Sequence, residues 1–408
     1  MKFKILNPLE YLNTTFIIAL FIWISFFPQP IQEKYHLFTN ISLVFIFLII
    51  FAKKRFSIFK LNDYPLCIFL VTISINVLFA QQKNIAFKTY WDLAIPMFCI
   101  YYLMKEAFSS EKRFDLLAKT ICLSSIFVSL GGILESLFRY NPIYEHFIRN
   151  PYYLRYITGF VRPMSTQFNP VVLGSYLLGA LPFNFLLFKQ GRPSFRLLAA
   201  MAIVLNVVVI IFTFSRGVFL GLIVMIIFYL FMQRKYRLIF TFFIGLVLFI
   251  LLCSYLPYPF NRLGKEQMMV ENRGILSDYR FTRCAMTWRI IKEHPLAGLG
   301  FQHFRSRFYE YSPSNYNVPY EFMIADNMYL TLLAETGIIG ALGFFIFIGM
   351  LFTRWLKKIK EANGDRKQML LIPMFALIGL LVNMGAYELF YWANPYMFFC
   401  VICGLVGL

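Results

Sequence analysis

The sequence is poor in charged residues, and poorest in acidic ones. Only 14% of its 408 residues are charged, and 20 Asp and Glu stand against 39 Lys and Arg. Hydrophobic residues make up 59% of the chain, and the mean hydropathy is +0.65. Soluble domains carry about 25% charged and about 45–50% apolar residues, and disordered chains carry fewer apolar ones. The composition therefore excludes a soluble globular enzyme and a disordered chain, and it predicts an integral membrane protein.

Cysteine and histidine are also scarce. The seven cysteines are an odd number and six of them lie in apolar runs, which excludes a disulfide framework. Cys400 and Cys403 share the spacing of one helical face, but no histidine or second cysteine pair accompanies them. We interpret them as buried small residues, and we predict no metal site and no cofactor. The chain also has no P-loop and no dinucleotide-binding glycine pattern.

Long apolar runs predict how often the chain crosses a membrane. A bilayer core needs about 20 apolar residues per helix, which gives an all-α polytopic protein with about twelve transmembrane helices. Lys2 and Lys4 precede an apolar run as in a signal peptide, but no small-residue cleavage site follows, so we expect a retained first span. We expect a single integral membrane domain over residues 1–408. The predicted spans lie near residues 11–27, 37–51, 64–80, 90–104, 116–138, 169–188, 195–214, 217–232, 238–256, 327–352, 368–387 and 392–408.

The distribution of Lys and Arg predicts the orientation and an anionic substrate. With a cytoplasmic N-terminus every inner loop is basic, as the positive-inside rule requires. The inner segments hold 14 Lys and 8 Arg, whereas the outer segments between residues 139 and 307 hold 12 Arg and 2 Lys. Membrane topology depends on positive charge and gives no reason for Arg rather than Lys. The guanidinium group of Arg, however, binds phosphate or carboxylate through two hydrogen bonds. The alternative is a rim of arginines at the lipid headgroups.

Two outer segments are long enough to be functional, residues 139–168 and residues 257–326, the latter between the ninth and tenth spans. The second contains a predicted amphipathic helix from Ser277 to His294, which Pro295 ends. Arg280 and Arg283 flank its apolar arc, so we expect them to point into the mouth of the bundle or along the interface. The predicted apolar arc consists of Phe281, Cys284, Ala285, Trp288 and Ile291.

Two short motifs lie at predicted span ends. Arg216 follows Ser215 between two apolar runs, where an arginine is costly without a partner and is a functional candidate, the alternative being an arginine that reaches the headgroups. Gly217 and Gly221 would let a neighbouring helix approach closely. Arg162 begins the second motif, which leads to a helix start or turn at residues 169–170.

The third motif begins a span. Asp326 and Asn327 precede it, and helix capping is the alternative to a functional role for Asp326. Glu335 lies more than two turns into the same predicted helix, where an unpaired carboxylate is costly. We expect it to be protonated or paired with an arginine.

In this order the segments resemble the O-antigen ligase and polysaccharide polymerase family of bacterial envelope membrane proteins. The resemblance covers motifs from about residue 160 to 340, and the layout of the spans over the whole chain, with a GT-C-like fold. It is carried by Arg162 before the 169–170 pair, by residues 215–217, by Arg280 upstream of residues 294–300, and by the run from Asn327 to Gly340.

The resemblance implies metal-independent transfer of a glycan from undecaprenyl diphosphate to an acceptor hydroxyl, in a cavity open to the periplasm or the cell exterior. It implies an undecaprenyl-diphosphate-linked glycan donor, a glycan or lipid acceptor and membrane lipid as partners, with a chain-length regulator or flippase beside them. Arg216 and Arg280 match the family's essential arginines, and Arg162 is a third. They are expected to hold the diphosphate and offset charge on the leaving group.

One departure from the family concerns the catalytic base. Ligases usually have His before Asn327, whereas this chain has Asp326, which could act as a base only when ionised. The substitution favours a polymerase of capsule, exopolysaccharide or O-antigen units over a ligase that uses lipid A core. His294 and His303 are rival bases, with a role as plain loop residues as their alternative. The residues expected to bind substrate are Arg162, Arg283, Asn327, Glu335 and His303.

Two other functions remain open. The first is a ligase of the same family, which transfers finished glycan to a lipid or protein acceptor. The second is a flippase for lipid-linked sugars, which would also need a basic cavity. Matching broken helices in two halves of the chain would favour transport, but the sequence has no such symmetry. Nucleic acid is excluded as a partner because the excess charge is predicted on the outer face.

Overall fold

The computed structural model of the protein describes residues 8–27, 29–53, 64–80, 82–108, 110–148, 155–157, 160–255, 270–312 and 323–406. Its described elements are helical except for one β-hairpin, β1 (Arg155–Ile157) with β2 (Phe160–Arg162). The α-helices are α1 (Pro8–Phe26), α2 (Gln29–Lys34), α3 (His36–Lys53), α4 (Tyr64–Phe79), α5 (Lys83–Thr89), α6 (Ile95–Ala107), α7 (Glu111–Phe138), α8 (Pro142–Ile148), α9 (Pro170–Gln190), α10 (Pro193–Thr213), α11 (Arg216–Met232), α12 (Tyr236–Tyr255), α13 (Val270–Glu293), α14 (Phe308–Tyr311), α15 (Met328–Glu361), α16 (Gly364–Met384) and α17 (Ala393–Val406). A π-helix (Tyr90–Ala94) precedes α6, and a 3-10 helix (Leu389–Tyr391) precedes α17.

The helices agree with the predicted apolar segments. Each of the twelve predicted segments overlaps a helix, and in the described residues five helices are long and apolar enough to cross a membrane: α7, α9, α10, α15 and α16. An all-α polytopic membrane architecture follows, with the β-hairpin as a small departure. The number of spans and the outer loop at residues 257–326 stay predictions, because part of that loop lies outside the described residues.

Burial identifies the centre of the bundle. In α9, 83% of the most apolar stretch is buried, against 28% in α10. Described residues of α17 from Asn394 to Val406 are all buried, and α16 packs against α9, α11 and α17. Large apolar side chains on α12 are exposed, among them Phe240 and Leu252. An apolar exposed surface of this kind suits contact with lipid rather than water.

Glycines bring α11 close to α16. A Cβ on Gly217 would lie 2.7 Å from the side chains of Asn383 and Ala386, and one on Gly221 would lie 2.6 Å from the carbonyl oxygen of Gly379. Small residues four apart allow such close approach between helices in lipid. The predicted close packing at these two glycines is therefore confirmed, with α16 as the neighbour.

Helix α15 is broken at Gly337, whose φ is +62° and ψ is −168°. The loop after α13 fills the break with main-chain hydrogen bonds: the Gly300 N–H donates to the Glu335 carbonyl oxygen at 2.8 Å, and the Ile338 N–H donates to the Pro295 carbonyl oxygen at 2.9 Å. Gly298 and Gly300 also have positive φ, which lets the loop fold tightly against the break. These two glycines are thus the part of the loop that joins α15.

Asn76 on α4 completes this junction. Its side-chain amide donates to the carbonyl oxygens of Ala297 and Glu335, and its oxygen accepts from the Phe301 N–H at 2.7 Å. Three segments far apart in sequence therefore share one amide side chain. Backbone groups freed by a break in an apolar helix need such partners, because neither lipid nor a packed core supplies them.

The break predicts a strong effect of Gly337→Ala. A Cβ at this position would lie 2.1 Å from the Leu296 carbonyl oxygen, in a backbone conformation that only glycine adopts easily. We expect Gly337→Ala to lower the free energy of unfolding by roughly 2–5 kcal/mol, from backbone strain and overpacking together. The measurement is unfolding of the purified protein in detergent.

Gly349→Ala in the same helix is the matched control. An added Cβ at Gly349 would meet no atom within 4 Å, so the variant should be as stable as wild type or slightly more stable. Equal stability of the Gly337 and Gly349 variants would contradict the proposed importance of the break.

Candidate functional site

The junction between α10 and α11 is held by the β-hairpin. Arg162 donates from Nε to the carbonyl oxygen of Thr213 at 2.8 Å. Phe160, in the same strand, packs edge-on against Phe212 and Phe214 with ring centroids 5.3 and 5.5 Å apart. Phe214 has a φ of +47°, so the chain turns sharply between the two helices. The structure thus brings the Arg162 motif and the Arg216 motif together at one end of the bundle.

Arg216 is the first residue of α11, and its side chain is exposed. No carboxylate pairs with it among the side chains that the structure describes. The next residue, Gly217, packs on Asn383 and Ala386, where α16 ends. Arg216 therefore lies beside the connection between α16 and α17, with its guanidinium accessible to an anion.

The turn after Arg162 is held by a buried acid that sequence reasoning missed. Glu135 on α7 is 1% exposed, and its Oε2 accepts hydrogen bonds from the N–H groups of Met164 and Ser165 at 2.9 and 2.6 Å. Gly131 lies opposite the Ser165 side chain and leaves room for the turn. Glu135 is an isolated acid in an apolar helix, and that signal was present in the sequence.

Arg283 and Asp326 form an ion pair at the start of α15. Nη1 of Arg283 lies 2.6 Å from Oδ2 of Asp326, and the two side chains are 6% and 26% exposed. Asp326 has a φ of +58°, a conformation that costs about 1–3 kcal/mol for a residue other than glycine and is often found at functional sites. The pair joins α13 to the first residues of α15.

Asn327, and not Asp326, caps α15. Its Oδ1 accepts from the N–H groups of Tyr329 and Leu330 at 3.0 and 3.2 Å. The interpretation of Asp326 as the helix cap is therefore wrong, because Asp326 turns to Arg283 instead. Asn327 was predicted to bind substrate, but in this structure its amide oxygen caps the helix.

The predicted apolar arc of the amphipathic helix is wrong as well. Cys284 is exposed and Trp288 is 53% exposed, whereas Arg283, Thr287 and Ile290 are buried. Arg283 faces inward, as expected from the sequence, and pairs with Asp326. Of the other predicted arc residues, Ile291 is half-buried, and the side chain of Phe281 lies outside the described part of the structure. Arg280 lies one helical turn before Arg283 in α13, but its side chain lies outside the described part of the structure.

Glu388, between α16 and α17, is a second acid that sequence reasoning missed. Its Oε1 accepts from the Asn327 N–H at 3.1 Å and from the Thr331 hydroxyl at 3.3 Å. Burial raises the pKa of Glu388 to about 8, and the charge of Asp326 acts in the same direction. An isolated acid among aromatic residues near a span end was the available signal.

Glu335 and His303 have structural contacts. Glu335 Oε1 accepts from the Phe304 N–H at 3.0 Å and from the Tyr391 hydroxyl. His303 is fully buried, with its ring nitrogens 3.0 and 3.1 Å from the carbonyl oxygens of Phe301 and Gln82. These contacts favour a role in loop structure over the predicted substrate binding.

The other predicted residues have simpler positions. His294 is half-buried, and its Nε2 lies 3.2 Å from the Tyr311 hydroxyl. Cys400 and Cys403 are free and buried, as interpreted from the sequence. In the part of the chain that the structure describes, no group of three or more His, Cys, Asp or Glu residues could hold a metal ion.

The arrangement defines a candidate site at the end of the bundle where α11 and α15 begin. It offers accessible cationic charge at Arg216, a cation at Arg283, and two carboxyl groups at Asp326 and Glu388, of which the charge of the first raises the pKa of the second. Cations can bind a diphosphate, and a carboxylate can accept a proton from a hydroxyl.

Comparison with known families identifies a match over part of the chain. Residues 201–345 match the family model described as O-antigen ligase. The matched region contains the α10–α11 junction, α13, the loop in the α15 break and the start of α15. The match confirms the resemblance seen in the motifs and indicates glycosyl transfer of the O-antigen ligase type. No curated protein matches the chain significantly.

The pKa of Glu388 predicts a pH-dependent stability. A carboxyl group whose pKa rises from 4.5 to about 8 on folding holds its proton more tightly in the folded chain. Its stabilising contribution is therefore complete below about pH 4.5 and is lost as the pH rises through about 8. We expect the free energy of unfolding in detergent to decrease less for Glu388→Gln than for wild type as the pH rises from about 4.5 to about 8.

The exposed Glu361 at the other end of α15 supplies the control, since Glu361→Gln should keep the wild-type pH dependence. An unchanged pH dependence in Glu388→Gln would show that other groups cause it.

Proposed function

We propose that the protein is a membrane glycosyltransferase that polymerises undecaprenyl-diphosphate-linked oligosaccharide units on the outer face of a bacterial cytoplasmic membrane. The product would be a surface polysaccharide such as O-antigen, capsule or exopolysaccharide. The observation that carries the proposal is the accessible Arg216 at the same end of the bundle as the Arg283–Asp326 pair, within the matched region. Cations and a carboxylate are the groups that a diphosphate donor and a hydroxyl acceptor require.

In this proposal the arginines act on the diphosphate. Arg216 and Arg280 bind its oxygens and offset the charge that develops when the bond from the anomeric carbon to the phosphate oxygen breaks. Arg162 acts indirectly. Its hydrogen bond to the Thr213 carbonyl oxygen fixes the α10–α11 junction and so positions Arg216. Arg283 holds Asp326 beside the reacting groups.

Asp326 is the proposed base. The acceptor hydroxyl oxygen forms the new bond to the anomeric carbon, its proton passes to Asp326, and undecaprenyl diphosphate leaves. The reaction uses no oxidant and no reductant. Asp326 is 26% exposed, so a hydroxyl can reach its carboxylate, whereas His303 is fully buried and is a poorer candidate.

A ligase would use the same groups with a different acceptor. Asp326 in place of the histidine typical of ligases supports the polymerase. A flippase would be a transporter and not an enzyme of this kind, and it would need polar groups along a path through the bundle. The described charged residues of the candidate site lie instead at one end of the helices, which supports chemistry over transport.

Lipid-linked saccharides in a deletion strain test the polymerase. We expect single repeat units to accumulate on the carrier, exposed at the outer face, because transfer between them is lost. Accumulated polymer on the carrier would indicate a ligase instead. Single units confined to the cytoplasmic face would indicate a flippase.

Arg216→Ala tests the binding of the diphosphate. We expect product formation to decrease by about 100-fold or more, which is typical when one group that stabilises developing charge is removed. Formation of polymer from purified lipid-linked units is the measurement, with membrane insertion checked for each variant.

Arg289→Ala is the matched control, because Arg289 is 64% exposed and pairs with Glu293 on the outer surface of α13. This variant should retain wild-type activity. Full activity of Arg216→Ala would contradict the role given to Arg216.

A further inference from the structure

The connection between α16 and α17 contains three buried polar side-chain atoms for which the described residues provide no hydrogen bond. Tyr387 Oη, Glu388 Oε2 and Trp392 Nε1 have no hydrogen-bond partner among the residues that the structure describes. The three residues are 4%, 0% and 3% exposed. They lie within six consecutive positions, directly beside the candidate site.

Such a cluster is costly. A buried donor or acceptor without a partner destabilises a fold by about 1–3 kcal/mol, and buried Tyr and Trp usually find a partner for their polar atom. The indole N–H of the buried Trp355, in contrast, donates to the Leu370 carbonyl oxygen at 2.8 Å. Local violations of this kind concentrate at functional sites.

The cluster is joined to the proposed base. Glu388 binds the Asn327 N–H through its other oxygen, and Asn327 directly follows Asp326. The rings of Tyr387 and Trp392 are stacked, with centroids 6.2 Å apart and an angle of 25° between their planes. Phe168 extends the aromatic surface, 6.1 Å from Trp392.

This chemistry does not fit the diphosphate. The Tyr387 hydroxyl, the Trp392 indole and the Glu388 carboxyl group, whose pKa is raised to about 8, carry little charge at neutral pH that could attract an anion. A neutral sugar, in contrast, carries hydroxyl groups that both donate and accept. A sugar hydroxyl can donate to the phenol oxygen, accept from the indole N–H, and pair with the carboxyl oxygen, while its C–H face packs on the rings.

We propose that Tyr387, Glu388 and Trp392 form the subsite for the acceptor sugar, which places the acceptor hydroxyl beside Asp326. The proposal rests on the proposed function and deepens it by naming the residues that recognise the acceptor. Since the three polar atoms are covered in this structure, the acceptor must displace the packing over them when it binds. A substantial minority of complexes show rearrangements of this kind on binding.

Tyr387→Phe and Trp392→Phe test the subsite. Tyr387→Phe removes only the phenol oxygen, and Trp392→Phe removes the indole N–H together with part of the ring. We expect the KM for acceptor to increase by about 10-fold in each variant, with the KM for donor unchanged, since one hydrogen bond to a ligand is lost. Stability of Tyr387→Phe in detergent should stay the same or increase, because a buried group without a partner is removed. Trp392→Phe also loses buried ring surface, so its stability is compared with that of a tryptophan whose indole N–H has a partner. A residue with a merely structural role would give the opposite result for stability.

Trp355→Phe is the matched control. Both tryptophans are buried, but only the indole N–H of Trp355 has a partner in the described fold, so Trp355→Phe should lose more stability than Trp392→Phe and keep the wild-type KM for acceptor. The proposal would be overturned if Tyr387→Phe lost stability, Trp392→Phe lost as much stability as Trp355→Phe, and the KM for acceptor was unchanged. That result would indicate ordered water or another structural partner.

Failure of the proposed function gives a different result. If wild-type protein transfers no sugar from the lipid-linked donor, the glycosyltransferase proposal is wrong. Calorimetric binding of the free repeat-unit oligosaccharide, released from its carrier, then tests the subsite alone. Weaker binding to both Phe variants than to wild type would support the subsite, and equal binding would overturn it.

Discussion

The break in α15 is the constraint on which the candidate site depends. A helix in an apolar environment cannot leave its backbone groups without partners, so the break at Gly337 must be filled by other N–H and carbonyl groups. The loop after α13 supplies them, and Asn76 on α4 supplies more. Filling the break fixes the end of α13 against α15. As a consequence Arg283 on α13 reaches Asp326 at the start of α15.

A second constraint joins the arginine of α11 to the carboxyl groups. Gly217 and Gly221 let α11 lie against α16, so the start of α11 meets the end of α16. The next residues of the chain include Glu388, which binds the backbone beside Asp326. The site thus results from two close contacts between helices, each of which needs glycine. Neither of these two contacts involves the three polar atoms of Tyr387, Glu388 and Trp392 that have no partner among the described residues.

Much of the fold could be predicted from the sequence, and less of the site. The apolar runs predicted where helices lie, because a lipid environment requires about 20 apolar residues per span whatever the packing. The helix start at residues 169–170 was also predictable from the sequence. The orientation of α13 was not, because apolar periodicity assumed that Trp288 faces the core and an ion pair reversed that face. Nor could the cap be assigned, since Asp326 and Asn327 have similar capping propensity.

By itself the sequence determined an apolar, basic, helical membrane protein whose outer segments are rich in Arg, and it carried the motifs of a glycan-transfer family. These are properties of composition and order along the chain. The tertiary structure alone decided which side chains meet: Arg283 with Asp326, Glu388 with the backbone of Asn327, and Glu335 with Tyr391 rather than with substrate. The physical reason is that partners for buried polar groups come from distant segments, and only packing determines which segments are within hydrogen-bond distance.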